Sequence, residues 1–282
     1  MKKIIIYLVT IFTASFIFCY SQHPPVSRNI SKFKIVDESN LRITYSLVFK
    51  YSVQSKEYHK DTRIVQVGDK IIKDFSAIVY RTDSISTDAE KKGAAGIPSL
   101  QDIVYPYEIF NSYEKDKSLV IYRTFISGPI LRYFEEQPVF KWELIDGSQI
   151  ILGYKCQPAK TRFAGREYTA WFTMDLPINA GPYKFNGLPG LILKVEESNG
   201  FFIWTATGIS KIKEPVVEYE IKEGYQKCTR KQADDIIKKM FEKPYTFIGN
   251  YSKGIVIMRE DGSFTRGTSE NEIAIPYEPL EK

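Results

Sequence analysis

The stretch LPGLILKVEESNGFFIWTATGISK, residues 188–211, decides the fold. Two largely apolar runs meet there at Asn199-Gly200. An Asn-Gly pair between alternating runs is the strongest short-range signal for a β-hairpin, because both residues tolerate the positive φ that a tight turn needs. The sequence therefore predicts two antiparallel strands joined by a tight turn at this point.

Alternation of apolar and polar residues recurs along the chain, and a period of two predicts strands with one buried face. Further strands are predicted at 41–53, 62–81, 117–126, 131–144, 148–163 and 165–177. Gly68-Asp69 would divide the second of these into a hairpin, and Ala164-Gly165-Arg166 would join the last two. Residues 82–99 are polar and are interpreted as an exposed, mobile loop.

One segment has the pattern of an amphipathic helix. Thr229 can serve as its N-cap and Gln232 as the capping-box partner three residues later. The apolar residues that follow share one helical face: Ala233, Ile236, Ile237, Met240 and Phe241. Pro244 would end the helix. We therefore predict a mainly β (α+β) fold, a large curved antiparallel sheet of hairpins and meanders with one C-terminal amphipathic helix packed on it.

The first 21 residues have the pattern of a secretory signal peptide. Lys2 and Lys3 precede an uncharged apolar run, and cleavage after Ser21 is expected. The chain is thus divided into a signal peptide (1–21), a single β-rich domain (22–262) and a flexible C-terminal tail (263–282). We expect an exported, periplasmic protein. The alternatives are outer-membrane association through a lipidated Cys19 and display at the cell surface.

The composition excludes some classes of function. The formal charge of +5 falls to +3 once the two leader lysines are removed, and basic residues form no block. The sequence therefore lacks the clustered basic residues that are typical of nucleic-acid-binding proteins. Aromatic residues make up 14% of the chain, which suits pleated surfaces and favours β-structure.

The histidine count argues against several catalytic machines. The mature chain contains only His23, at a terminus, and His59, in a charged connector. A Ser-His-Asp or Cys-His site needs a positioned histidine, and a histidine-based zinc site needs several. The phosphate-loop spacing is also missing. We expect no metal and no cofactor, and we assign no catalytic residue. Glu143 and Asp175 are the least implausible acids for a carboxylate-dependent hydrolase.

The segment NGLPGLIL, residues 186–193, contains two glycine-dependent turns. Pro189-Gly190 has the form of a type II turn in which the glycine supplies a positive φ, and Gly187 can supply another. The first role of the segment is therefore predicted to be architectural. If the region also binds a ligand, the candidate residues are those nearby that are aromatic or basic: Trp171, Tyr183, Lys184, Arg162 and Arg166.

Two cysteines remain after export, Cys156 and Cys228. An oxidising compartment permits a disulfide between them. Two separate thiols are the equally weighted alternative.

The segment GPYKFNGLPGLIL, residues 181–193, resembles the signature of the GLPGLI family, whose hexapeptide would be Gly187, Leu188, Pro189, Gly190, Leu191 and Ile192. The resemblance extends upstream through residues 153–182 and to the helix near residue 230. It implies an exported envelope protein of gram-negative bacteria and does not imply an activity. That family is similar to the N-terminal module of one type of peptide N-glycosidase, where the module is not the hydrolase. The resemblance makes Cys156 part of the signature, supplies no catalytic residues and leaves Cys228 as its disulfide partner in doubt.

The upstream pattern, from Gly153 to Trp171, is also similar to LolA-like lipoprotein carriers, which have a curved antiparallel sheet with helices on its concave face. This similarity concerns the fold and not the function.

Three functions follow as hypotheses. The first is a non-enzymatic envelope protein with a binding or assembly role, whose partner is an envelope protein, a glycan or an apolar ligand, with peripheral membrane association as an option. The second is a lipid- or lipoprotein-carrier-like protein with an apolar cavity. The third is a hydrolase that acts on glycans or peptides through carboxylates. The sequence does not give the oligomeric state.

Overall fold

A computed structural model describes residues 25–94, 100, 102–125, 128–251, 256–258, 264–266 and 274–282. The predicted signal peptide, with Cys19, lies outside the described residues. Within the described ranges, no helix combines the length and the apolar character needed to cross a membrane.

Within the described part of the chain, fourteen strands form one large sheet. In chain order they are β1 Phe33–Phe49, β2 His59–Gly68, β3 Ile72–Ser76, β4 Tyr107–Glu114, β5 Lys117–Arg123, β6 Ile130–Glu136, β7 Glu143–Leu144, β8 Gln149–Ile151, β9 Tyr154–Phe163, β10 Arg166–Thr173, β11 Leu191–Glu197, β12 Phe202–Ser210, β13 Glu214–Tyr219 and β14 Gln226–Lys227. Their order is β14-β6-β5-β4-β3-β2-β1-β12-β11-β10-β9-β7, while β13 pairs with β1 and β8 with β9. All described pairs are antiparallel except β14 with β6. A separate hairpin joins β15 Val256–Met258 and β16 Phe264–Arg266.

The predicted hairpins are confirmed. Strands β11 and β12 pair antiparallel across Asn199-Gly200, and Gly200 has a φ of 71°. Ala164 and Gly165 turn β9 into β10 with φ values of 47° and 76°. The mainly β fold of antiparallel hairpins is confirmed as well. Two predicted strands are broken, however: 131–144 is divided into β6 and β7, and 148–163 into β8 and β9.

The described residues also form three helices: α1 Ala77–Lys91, α2 Arg230–Glu242 and α3 Pro244–Tyr251. Helix α2 is the predicted one, and its capping box is complete, because Thr229 accepts from the Gln232 backbone and the Gln232 side chain accepts from the Thr229 backbone. Pro244 does follow the end of α2, but it also begins α3, where its fixed φ suits a first helical position.

Helix α1 was not predicted. The prediction of a strand to residue 81 and a loop over 82–99 is wrong over 77–91. Ser76 caps the helix by accepting from the Val79 N–H. Most of the side chains it buries are polar, with Asp83 paired to Arg123, so the apolar periodicity that marks a packed helix is absent.

The two faces of the sheet bury different clusters. On β5, Leu119 and Ile121 belong to a small cluster with Phe110, whereas Val120 and Tyr122 belong to the main core. Helix α2 packs on the main-core face through Ala233, Ile237, Met240 and Phe241.

The last nine residues of the predicted tail, 274–282, are among those that the structure describes, and they pack against the domain. We call residues 274–282 the C-terminal strap. Its Glu278 and Leu280 are buried, at 8% and 7% exposure. Few apolar residues mark this segment in the sequence, and the contacts that hold it are mainly hydrogen bonds and ion pairs, which a hydropathy pattern does not reveal.

Candidate ligand-binding site

A cavity of about 520 Å³ lies between the main-core face of the sheet, helix α2 and the C-terminal strap. Its volume falls in the usual range for small-molecule sites, roughly 300–1,000 Å³. Six tyrosines of the described residues line it: Tyr105, Tyr107, Tyr122, Tyr133, Tyr183 and Tyr277. We therefore call it the tyrosine cavity. Exposed α2 residues, Asp234, Lys238 and Glu242, form part of its rim.

Strand pairing places the sheet tyrosines together. Tyr107 on β4 lies opposite Tyr122 on β5, and Val120 on β5 lies opposite Tyr133 on β6. Because alternate residues of a strand share a face, these four side chains project into one space. Ile237 and Phe241 of α2 form the facing wall.

The C-terminal strap closes another side of the cavity. The Ile275 N–H donates to the Phe241 carbonyl at 2.8 Å, and the Tyr277 ring stacks on the Phe241 ring with centroids 3.8 Å apart. Further along, the Glu278 N–H donates to the Tyr51 carbonyl at 2.6 Å. The strap is therefore fixed to both the helix and the sheet region.

The tyrosine hydroxyl groups converge on one part of the cavity. Tyr105 donates to the Glu278 carbonyl at 2.7 Å, and the Tyr277 hydroxyl interacts with those of Tyr105 and Tyr122. Burial raises the pKa of all three phenols, so they stay neutral at physiological pH. A neutral phenol can both donate and accept a hydrogen bond.

Ion pairs close another part of the cavity. The Lys184 ammonium pairs with both Glu135 and Glu281. Arg230 at the start of α2 reaches the same two carboxylates, with Nη1 2.5 Å from Glu135 and Nη2 2.8 Å from Glu281. Burial alone would raise the pKa of Glu281, but Lys184 and Arg230 outweigh it and lower that pKa, so Glu281 is ionised.

A buried arginine positions three of the tyrosines. Arg63 donates to the carbonyls of Tyr105 and Tyr107 at 3.0 and 2.9 Å, and its guanidinium carbon lies 3.8 Å from the Tyr107 ring centroid. Arg63 also donates to Asp74, which accepts the N–H of Tyr183 at 2.5 Å and so supports the unusual φ of 58° there. The sequence analysis missed this network. The signal was available, since Arg63 occupies the buried face of an alternating strand.

The predicted binding residues separate into two groups. Tyr183 lines the tyrosine cavity, Lys184 pairs at its edge, and Arg166 anchors the strap by donating to Glu278 at 2.7 Å and to the Pro279 carbonyl at 2.6 Å. Trp171 and Arg162 do not line the cavity. Arg162 is 87% exposed in its side chain, with Glu167 3.7 Å away.

The two glycines of the turn segment differ from each other. Gly187 has the predicted positive φ, 88°. Gly190 lies outside the left-handed region, so the prediction of a positive φ there is wrong. Its backbone instead packs so closely on the end of β10 that a Cβ atom would lie 2.0 Å from the Thr173 carbonyl oxygen. Close approach, and not turn geometry, requires glycine at this position.

The remaining chemical candidates do not combine into a site. Cys156 and Cys228 are both free thiols, and burial raises the pKa of Cys156 to about 11, so that thiol is protonated. Glu143 and Asp175 are exposed and neither lines the cavity. Packing on Phe49 and Tyr51 partly buries His59, which lowers its pKa. Across the described residues, no group of histidines, cysteines or acids is arranged to hold a metal ion.

Comparison with known proteins gives a family match over residues 99–236, just under half of the chain. The matching family is described as "N-glycanase peptide, N-terminal domain". No curated protein sequence matches the chain. Among solved structures, PNGF-II in space group P21 is similar at 17% identity with a TM-score of 0.47, over 73% of this chain and 34% of that one. The same protein in space group C2 gives 17% identity, a TM-score of 0.46, and coverage of 73% and 33%. The chain thus spans about a third of the length of these structures.

The family match corrects the resemblance inferred from the hexapeptide. The family model that matches is the N-glycanase peptide N-terminal domain, so the assignment to the GLPGLI family was wrong, and so was the comparison with LolA-like carriers.

Proposed function

We propose that the chain is a non-enzymatic binding protein that holds part of a glycan in the tyrosine cavity. The observation that carries the proposal is the lining itself, in which six tyrosines surround about 520 Å³. Aromatic rings offer flat apolar faces, while their neutral hydroxyl groups donate and accept hydrogen bonds. A saccharide presents the complementary combination of apolar C–H faces and hydroxyl groups.

The family match supports this choice of ligand class. The matched range supplies five of the six cavity tyrosines, with Tyr277 outside it. The family name refers to an N-glycanase, and N-glycanases act on glycans attached to peptides. An acyl chain is a weaker fit, because the buried phenols would lose hydrogen-bonding partners against an apolar ligand.

A binding role is favoured over a hydrolytic one by the state of Glu281, the least exposed of the carboxylates that line the cavity. A two-carboxylate glycosidase needs a general acid whose pKa is raised. Glu281 has the opposite shift, because Lys184 and Arg230 outweigh the effect of its burial. Glu135 contacts the same two cations. These carboxylates are therefore suited to holding the structure together.

The test is calorimetric titration of the mature chain with a neutral N-linked oligosaccharide. We expect saturable binding. Tyr122→Phe and Tyr277→Phe remove one hydroxyl each, and each should weaken binding by about 2- to 10-fold, the usual value of one hydrogen bond. The matched control is Tyr58→Phe, because Tyr58 is 52% exposed and does not line the cavity.

Three results would reject the proposal. The first is no saturable binding, and the second is an equal effect of the Tyr58 control. The third is mass-spectrometric detection of glycan released from a glycopeptide, which would establish a hydrolase instead. A fluorescent fatty-acid probe tests the carrier alternative. If unlabelled fatty acid displaces the probe from the wild-type chain and oligosaccharide does not, the result would favour an apolar ligand.

We also propose that the protein is exported to the periplasm, with residues 1–21 removed. The basic start and apolar run of the leader support this. Mass spectrometry of the mature N-terminus tests it, and the expected terminus is Gln22. An acylated Cys19 would instead indicate a membrane-anchored lipoprotein.

A further inference from the structure

We propose that the tyrosine cavity selects uncharged saccharides over saccharides that carry a carboxylate. This inference rests on the proposed glycan-binding function and names the class of glycan. It follows from the way in which the charged groups of the cavity are already paired with one another.

Among the described residues, the positive and negative side chains that line the cavity are equal in number. Arg230, Lys238 and Lys282 are matched in number by three acids, Asp234, Glu242 and Glu281. Behind this lining, Lys184 is paired with Glu135, and both side chains are buried, at 3% and 8% exposure. The described part of the lining therefore has no net charge that would attract an ionic ligand.

Two cations at the cavity, Lys184 and Arg230, are already paired with carboxylates. Lys184 lies between Glu135 and Glu281. Arg230 contacts both of these carboxylates and also Asp234, whose Oδ2 lies 2.9 Å from its Nε. At Lys184 and Arg230, an acidic ligand would have to displace one of these carboxylates, or lose its hydration without gaining a free cation, and both are costly in a buried site.

The other polar groups of the cavity suit a neutral ligand. The hydroxyls of Tyr105, Tyr122 and Tyr277 stay protonated because they are buried. Their oxygens can accept hydrogen bonds from sugar hydroxyls, and such bonds require no net charge on the ligand.

The test compares two oligosaccharides that differ only in a terminal sialic acid residue, titrated calorimetrically into the wild-type chain. We expect the neutral oligosaccharide to bind at least about tenfold more tightly, since an uncompensated buried charge costs more than 1.4 kcal/mol. Equal affinity, or tighter binding of the sialylated form, would overturn the selectivity while leaving the glycan-binding proposal intact. Binding of neither would overturn the proposed function and this inference together.

The cause of the selectivity is tested by freeing the cations. Glu281→Gln removes the carboxylate shared by Lys184 and Arg230, so the preference for the neutral oligosaccharide should fall by at least about fivefold. Asp234→Asn removes one of the three carboxylates around Arg230 and leaves Lys184 paired. Because the Asp234 side chain is 54% exposed, this change should reduce the preference less, without threatening the fold. Glu143→Gln, on exposed β7 away from the cavity, should keep the wild-type ratio. An unchanged ratio in a folded Asp234→Asn chain and in a folded Glu281→Gln chain would contradict the charge-pairing explanation.

Discussion

Gly187 and Gly190 are required for different physical reasons. At Gly190 an added methyl group would lie 2.0 Å from a backbone oxygen of β10, which cannot move without distorting the strand. We expect Gly190→Ala to lower the free energy of unfolding by about 3 kcal/mol or more. At Gly187 a side chain would meet only the Trp142 ring at 3.5 Å, so Gly187→Ala should cost about 1–2 kcal/mol through its φ of 88°.

Urea unfolding of both glycine variants, followed by circular dichroism, measures the difference. Equal losses, or a larger loss at Gly187, would show that the close approach to Thr173 does not determine the requirement for glycine.

Arg63 is the residue on which the arrangement of the cavity tyrosines depends most. Arg63→Met would leave Asp61 and Asp74 buried without their cation, and both have fully buried side chains. We expect a loss of about 3–5 kcal/mol, the usual cost of breaking a buried ion pair from one side.

The control for Arg63 is another arginine in an ion pair that is more exposed. The Arg42 side chain is 39% exposed and pairs with Glu214, so Arg42→Met should cost no more than about 1 kcal/mol. Chemical denaturation of the two variants separates the cases, and similar losses would mean that the buried network is not special.

Among the elements, α2 gives a clean test, because its N-terminal cap is complete and exposed. Thr229→Ala removes the hydroxyl that accepts from Gln232 and should lower the free energy of unfolding by about 1 kcal/mol. Thr229→Ser keeps a hydroxyl at the same position and should recover most of that loss. Thermal denaturation would contradict the role of the cap if the serine and alanine variants melt together.

Short sequence patterns predicted the turns and the helix start, because a few neighbouring residues determine each of them. Asn199-Gly200 and Ala164-Gly165 specify tight turns through residues that adopt positive φ, and Thr229 with Gln232 specifies a helix start. Helix α1 was missed because its first residues, Ile78, Val79 and Tyr80, are of types that favour strands, and because polar contacts such as Asp83 with Arg123 hold it in place.

The cavity could be predicted only in part. Tyr183 and Lys184 were identified from their place beside the turn segment, whereas the tyrosines of β4, β5 and β6 were not. Their convergence depends on strand register and on a strap that is distant in sequence, and neither is encoded in a short window. Arg63 was missed for the same reason, since three of its partners, Asp74, Tyr105 and Tyr107, lie 11 to 44 residues away.

For the molecule as a whole, acid should weaken the attachment of the C-terminal strap. The pKa of Glu281 lies below its usual 4.5 because Lys184 and Arg230 outweigh the effect of burial. The pKa of Glu278 is also lowered, because Lys282 and Arg166 outweigh the effect of burial there. A carboxylate with a depressed folded-state pKa adds stability above about pH 4.5, and this stability is lost as the pH falls toward the folded-state value. The urea midpoint should therefore drop as the pH falls from 5 to 3.

The acid effect can be assigned by substitution. Glu281→Gln removes one of the two strap carboxylates, so its stability should depend less steeply on pH across the same interval. Glu143→Gln, at an exposed position away from the strap, should keep the wild-type slope. A Glu281→Gln slope equal to that of the wild-type chain would place the acid sensitivity elsewhere in the molecule.

The position of the strap in the chain has a consequence for biosynthesis. Chains are made from the N-terminus and begin to fold as they emerge, at about 5–20 residues per second. Every strand of the large sheet precedes residues 274–282, so the sheet can pair while one wall of the cavity is still being translated. The binding site is thus completed after the scaffold that carries it. A product cut before residue 274 would keep the whole sheet, but its tyrosine cavity would stay open to water.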